Sequence, residues 1–287
     1  MGTASQDDLE KPKITWLVED KVENINLLSK TSPDTSAASY IESLIISQLD
    51  NYDIKIQRGT ASRNNRHLKE YDNACLANRA NTKERRAYSL FSEPQAFYIT
   101  HKLYRYNAKT PLPNELFNDK GEIEYLPNVF KEMPTAKIGL AKGVSYGNFL
   151  DKQLQQISDD NIYYRGGARR VVALEAMLYN ERVDMLLALP IDMTPDEKQI
   201  KSLEKYTIAG APPYLIAHFN CSNSELGAKI IADINKILLK TYQTDEYYLA
   251  HKKWFSEQEL LNLQLFLKRK FSDQTYLKPN ENLNKVQ

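Results

Sequence analysis

The first sixty or so residues constrain the fold more than any other part of the chain. The run Ile14 to Val18 in "KITWLVED" is apolar and strand-like, and it ends in acidic residues. From Thr35 to Leu49, "TSAASYIESLIISQL" brings Ile41, Leu44, Ile45 and Leu49 to one helical face, and Asp34, Thr35 and Ser36 offer capping oxygens near its start. "YDIKIQ" then alternates Ile54 and Ile56 with polar neighbours, as a strand with one buried face does. Strand, helix and strand in that order predict a parallel pair with a right-handed crossover.

The alternation continues. "FYITHKLYRY" at 97 to 106 and "AKIGLA" at 136 to 141 read as strands, and the Pro- and Asn-rich segment between them reads as a long surface excursion. Beyond it, "GNFLDKQLQQI" is helical, and a helix with Val171, Leu174 and Leu178 on one face precedes a buried strand from Val183 to Leu189. "PPYLIAHF" is a further strand. "SELGAKIIADINKILLKTY" is a helix buried through Leu226, Ile230, Ile234, Ile237 and Leu238, and "SEQELLNLQLFLKRKF" is an amphipathic helix before a polar tail. Strands alternating with helices imply an α/β fold with largely parallel sheets. A length of 287 residues suits two lobes.

Several functional classes are disfavoured. Lys and Arg total 38 against 37 Asp and Glu, and no segment carries a dominant basic run, so no nucleic-acid footprint is visible. The longest apolar runs, such as "MLLALPI", are far shorter than the roughly 18 residues of a membrane span. The start, "MGTASQDDLEKPK", has no apolar core and reads as a leader joined to a mature chain, with a secretory signal removed. Cys75 and Cys221 are too far apart for a zinc-finger pattern, and either a disulfide or two buried thiols would fit. His67, His101, His218 and His251 show no metal-ligand spacing. No Ser-His-Asp order or Gly-rich nucleotide loop is present, so neither a catalytic site nor a cofactor is expected.

Two short stretches suggest anion binding. In "AKGVSYGNFLDKQL" a strand runs through a Gly-containing turn into a helix, where free N–H groups gather. Gly143 would allow close backbone approach, and the Ser145 hydroxyl would add a donor. In "TKERRAYSLFSEP", residues 82 to 94, two adjacent arginines stand before a Phe-Ser-x-Pro turn.

That second stretch resembles the T-x-x-x-R or T-x-E-R, then Phe-Ser-x-Pro, pattern of type II periplasmic solute-binding proteins, in the amino-acid-receptor branch. "KIGLAKGVSY" resembles their second-lobe turn, and "LEAMLYNERVD" their following helix and strand. The likeness runs from about residue 13 to 270, and "ITW", "NRHLKEYDNACLA", "VDMLLALP" and "FNCSNSELGAKIIADIN" resemble a subgroup that often carries a cysteine at each of these two places.

The resemblance implies two α/β lobes, each a mostly parallel sheet flanked by helices, joined by two hinge strands near "FYITHKLYRY" and "KYTIAGAPPYLIA". Lobe one would hold residues 13–104 and 207–275, lobe two 105–206, with 1–12 and 276–287 as flexible ends. Both cysteines then fall in lobe one, which implies a disulfide. Arg85 falls on the position of the ligand-binding arginine, whose planar fork grips a carboxylate, while Arg86 would face solvent or a surface acid. Gly143 to Tyr146 would meet the same anion from the other lobe. Asn78 is a further polar contact, flanked by Ala77 and Ala80 where Ser or Thr is frequent, and Trp16 and Tyr146 are aromatic cleft candidates.

One departure stands out. Where the relatives place an aspartate for the ligand's ammonium, this chain has Leu189, and Glu19, Asp20 or Glu23 could replace that charge. The implied function is non-catalytic capture of a small carboxylate-bearing, anionic ligand by a monomeric periplasmic protein serving an ABC permease. The alternative is a partner-regulating protein read by a membrane sensor, and a third reading is a cleft enzyme of the dehydratase type.

Overall fold

The computed structural model describes residues 10–19, 36–167 and 169–271. Asp20 and Glu23 lie outside these residues, as do the two ends of the chain apart from residues 10–12. Strand β1 (Lys13–Glu19) pairs in parallel with β2 (Asp53–Gly59) across helix α1 (Ala37–Ile46), as the opening pattern predicts. Ser36 caps α1 by accepting a hydrogen bond from the Ser39 N–H, and Ile41 and Ile45 are fully buried beneath it.

Two five-stranded sheets form among the described residues. The first has the order β2-β1-β3-β10-β4, with β3 at Ala74–Ala80, β4 at Ser89–Ile99 and β10 at Tyr214–Ser222. The second has the order β7-β6-β8-β5-β9, with β5 at Lys102–Tyr106, β6 at Ile138–Ala141, β7 at Ile162–Arg165, β8 at Met185–Ala188 and β9 at Leu203–Tyr206. Each sheet is parallel on one half and antiparallel on the other, because a single strand, β10 in the first and β5 in the second, runs against all the other strands of its sheet.

The chain leaves the first sheet at Thr100–His101, slightly before the boundary read from sequence, since "FYITHKLYRY" has no turn residue to mark the change. It returns between β9 and β10, and the Thr100 N–H donates to Pro213 O at 3.1 Å, tying the two crossings together.

The segment from 107 to 134 is not a surface excursion. It turns at Asn114–Leu116, makes a bridge from Phe117 to Ile123 and forms α4 (Leu126–Glu132). Leu112, Leu116, Ile123, Leu126, Val129 and Phe130 are all buried in the second lobe's core, so its apolar spacing outweighs its Pro and Asn content.

Phe-Ser-x-Pro is likewise not a turn. It lies within β4, where Pro94 sits at a register shift against β10 and so tolerates its missing N–H. Cys75 and Cys221 stand directly opposite on β3 and β10 and form a disulfide, the pairing the resemblance implies.

Candidate functional site

Between the lobes lies a cavity of about 160 Å³. Its first-lobe wall comes from the ends of β1 and β3, the start of α1 and helix α3 (Lys83–Arg86). Its second-lobe wall comes from the turn between β6 and α5 (Asn148–Leu154), the start of α6 (Arg170–Tyr179) and the residues after β8.

Among the described residues, three buried arginines border it. Thr82 caps α3 by accepting from the Arg85 N–H at 3.3 Å, and this short turn carries the Arg85 side chain inward while Arg86 stays exposed, donating to Asn81. Arg85 Nη1 donates to Ala80 O at 3.0 Å, and among the described residues no carboxylate comes within ion-pair distance of it. Burial lowers its pKa, opposed by the charges of Tyr88, Asp151, Glu84 and Glu19. Arg79, on β3, is held down at about 10, first by burial and then by the Arg85 charge. Arg170 enters from the other lobe.

Glu19, at the end of β1, lies between two of them. Its Oε1 is 3.6 Å from Arg79 Nη1, and its Oε2 accepts from Arg170 Nη2 at 2.7 Å, so one carboxylate spans the cleft. The Nε atoms of Arg79 and Arg170 are buried without a hydrogen-bond partner among the described residues. Arg79 is further fixed by Asn65.

Two more ionisable groups reach the wall. Glu42, on α1, is buried and accepts from Trp16 Nε1 at 2.7 Å, and burial pushes its carboxyl up to about 7 against that hydrogen bond. His101, at the first crossing, is held down at about 3 by burial, so it stays neutral at ordinary pH.

The residues read from sequence divide. Arg85, Asn78, Ser145 and Tyr146 all border the cavity. Asn78 is exposed with a left-handed backbone (φ 60°) and is held by Gln95, whose Oε1 accepts from the Asn78 N–H at 2.7 Å. Trp16 does not border it. Its ring is fully buried in the first lobe's core, edge-on to Phe219, because β1 turns that side of its pleat inward. Gly143 does not border it either. Its positive φ of 77° shapes the turn, and a Cβ there would stand 3.4 Å from Ser62 Oγ on α2 (Ala61–Glu70).

The second-lobe turn also differs from expectation. Ser145 Oγ donates to Asp151 Oδ2 at 2.5 Å, and the Tyr146 N–H donates to Asp151 Oδ1 at 2.8 Å. Asp151 belongs to the chain's own α5 (Asn148–Leu154), so a built-in carboxylate holds the donors expected for a ligand. The Tyr146 hydroxyl accepts from the Ala141 N–H at 2.7 Å, and the ring lies 4.8 Å from His101.

Arg79, Arg170, Glu42 and His101 were not singled out from sequence. Glu42 alone left a usable signal: it sits on the apolar stripe of α1, four residues after Ala38 and three before Ile45, where an acid is out of place unless it meets a partner or a cavity.

No family model and no curated protein matches the chain. Solved structures do. One, described in work on glutathione import via GshT and the cystine ABC importer TcyBC of Streptococcus mutans, is 16% identical, with 85% of this chain and 95% of that one covered and a TM-score of 0.59. A substrate-binding protein of an ABC uptake transporter from Streptococcus pneumoniae, with bound histidine, is 15% identical over 86% of this chain and 94% of its own, with a TM-score of 0.57. A histidine kinase sensor domain with similarity to periplasmic binding proteins is 11% identical over 86% and 97%, with a TM-score of 0.59. The fold is that of the two-lobed periplasmic binding proteins.

Proposed function

We propose that this chain is an extracytoplasmic solute-binding protein that captures a small carboxylate-bearing ligand between its lobes for an ABC permease. The observation that carries the reading is Arg85, a buried guanidinium on the cavity wall with spare donors and no carboxylate at ion-pair distance among the described residues. A buried cation without a close counterion is costly, and a ligand carboxylate gripped by its fork would relieve that cost. A cavity of about 160 Å³ is small beside the roughly 300–1,000 Å³ of drug-sized sites, which favours a ligand of few heavy atoms. The disulfide between Cys75 and Cys221 suits an oxidising compartment.

A thermal-shift screen of small carboxylic acids tests this, run on the wild type, Arg85→Ala and Arg85→Lys. A ligand at a hundredfold excess over Kd adds about 2.7 kcal/mol to stability. Truncating one side of a buried charge pair costs about 2–5 kcal/mol, so both variants should lose roughly thirtyfold or more in affinity, Lys included because it lacks the fork. Equal shifts in all three proteins would remove Arg85 from the site.

A second reading is favoured by the Glu19 bridge. A cleft fastened by its own side chains can report a conformational state to a membrane partner, and one solved structure of this fold is a histidine kinase sensor domain.

A further inference from the structure

We propose that a second cavity, which shares a wall with the cleft, is a binding site for a small uncharged ring molecule carrying one hydrogen-bond acceptor, held between the two lobes. The site is independent of the carboxylate reading, since Arg79, Arg85 and Arg170 do not border it.

This cavity also measures about 160 Å³. The first lobe supplies Phe97 and Ile99 at the end of β4, and Trp254 and Phe255, which lie between α9 (Asp245–Lys252) and α10 (Glu257–Phe271). The second lobe supplies Pro190 and Ile191, which open the short helical turn Pro190–Asp192 after β8. Ile191 packs against the first lobe's core from across the boundary. Tyr98 and Ile191 border the cleft cavity as well, so each cavity touches the same two side chains. Because its wall comes from both lobes, an occupant binds best when they are together and so favours that arrangement.

The lining sets the chemical class. Among the described residues of the wall, Lys253 alone is charged, and its Nζ stands 5.1 Å from the centre of the Trp254 ring. Apolar cavities of roughly 150 Å³ stay dry and take up a benzene ring. One polar group interrupts this lining: Trp254 Nε1 is buried and has no hydrogen-bond partner among the described residues. Water answers it poorly, because an ordered water needs about two to four polar partners. A ring bearing one carbonyl or hydroxyl oxygen would accept from Nε1 while its carbons fill the apolar space. A charged ring would lose its hydration against the same wall.

Magnetic resonance of the indole N–H groups tests this, because the chain has two tryptophans and Trp16 already donates to Glu42. Cyclohexanone and phenol are the acceptor-bearing probes, with methylcyclohexane and toluene as their acceptor-free matches. The expected result is that cyclohexanone or phenol moves the Trp254 signal, leaves the Trp16 signal in place and binds about fivefold more tightly than its match. Trp254→Phe keeps an aromatic wall and should bring the acceptor-bearing probes down to the affinity of their matches. Ile191→Ala should weaken every probe about fivefold or more, since the second lobe loses its part of the wall. Ile99→Phe, which borders this cavity and not the cleft, should abolish binding by filling the space. If no probe moves the Trp254 signal, the cavity is a packing void only and the proposal fails, with the carboxylate reading untouched. Equal affinity of each probe and its match would overturn the acceptor assignment. Binding unchanged in Ile191→Ala would overturn the claim that the site joins the lobes.

Discussion

The two walls of the cleft are built on opposite plans. On the first-lobe side, Arg85, Glu42 and Asn78 present polar groups that the fold leaves with spare capacity at the cavity. On the second-lobe side, the Ser145 hydroxyl and the Tyr146 N–H are held by Asp151, and the Tyr146 hydroxyl by the Ala141 N–H. Arg170 is the side chain of that lobe that reaches across, and it reaches the protein's own Glu19. Under the proposed function, this contrast gives recognition to one lobe and closure to the other. Hinge closure then needs no ligand to join the walls, because Glu19 already does so.

The sharpest way to break this division is Glu19→Gln. The neutral amide leaves two guanidiniums, each with a side chain less than a tenth exposed, facing one another without a counterion. Removing one partner of a buried ion pair costs roughly 3–5 kcal/mol, and opening the lobes to hydrate both arginines is the least expensive relief. Small-angle scattering should show a larger radius of gyration without ligand, with secondary structure unchanged. An unchanged radius together with a melting temperature lowered by several degrees would mean that Glu19 supports the first lobe rather than joining the two.

The sequence carried the scaffold well and the site unevenly. Periodicity recovers β1, α1 and β2, because most of their apolar residues face the main core of the first lobe and nothing competes with the pattern. It fails from 107 to 134, where core residues are spaced irregularly through turns, a bridge and a short helix, so no period betrays them. The choice of Arg85 over Arg86 as the ligand arginine came from the family pattern; in the one-turn helix Arg85 is buried and Arg86, about 100° round the axis, is exposed. Trp16 was misplaced because an aromatic residue in the middle of a strand reads the same whether its side of the pleat faces core or cleft. Arg79 and Arg170 lie 91 residues apart in the chain, and only the folding of two lobes onto each other brings both to Glu19.

A smaller effect is expected from Asp151→Asn. Asp151 adds its charge to the environment of Arg85, raising the Arg85 pKa, and so competes with any ligand carboxylate. Removing that charge should tighten carboxylate binding by up to about tenfold. Stability should fall by about 0.3–1 kcal/mol, since Asp151 lies in the first turn of α5. Weaker binding in this variant would show that Asp151 orients the turn for the ligand rather than standing in for it.

Ser145→Ala should change affinity least, by less than about twofold, although Ser145 borders the cavity. Its hydroxyl donates to Asp151 and accepts from the Gly147 N–H at 3.1 Å, so both of its bonds serve the turn. Losing two such bonds, one to a charged group, should lower stability by about 1–3 kcal/mol. Calorimetry and thermal melts on one preparation separate the two effects. Should affinity drop tenfold while the melting temperature holds, the hydroxyl must turn from Asp151 to the ligand on binding, and the second lobe would then join in recognition. The division between the walls would in that case belong to the unliganded cleft alone.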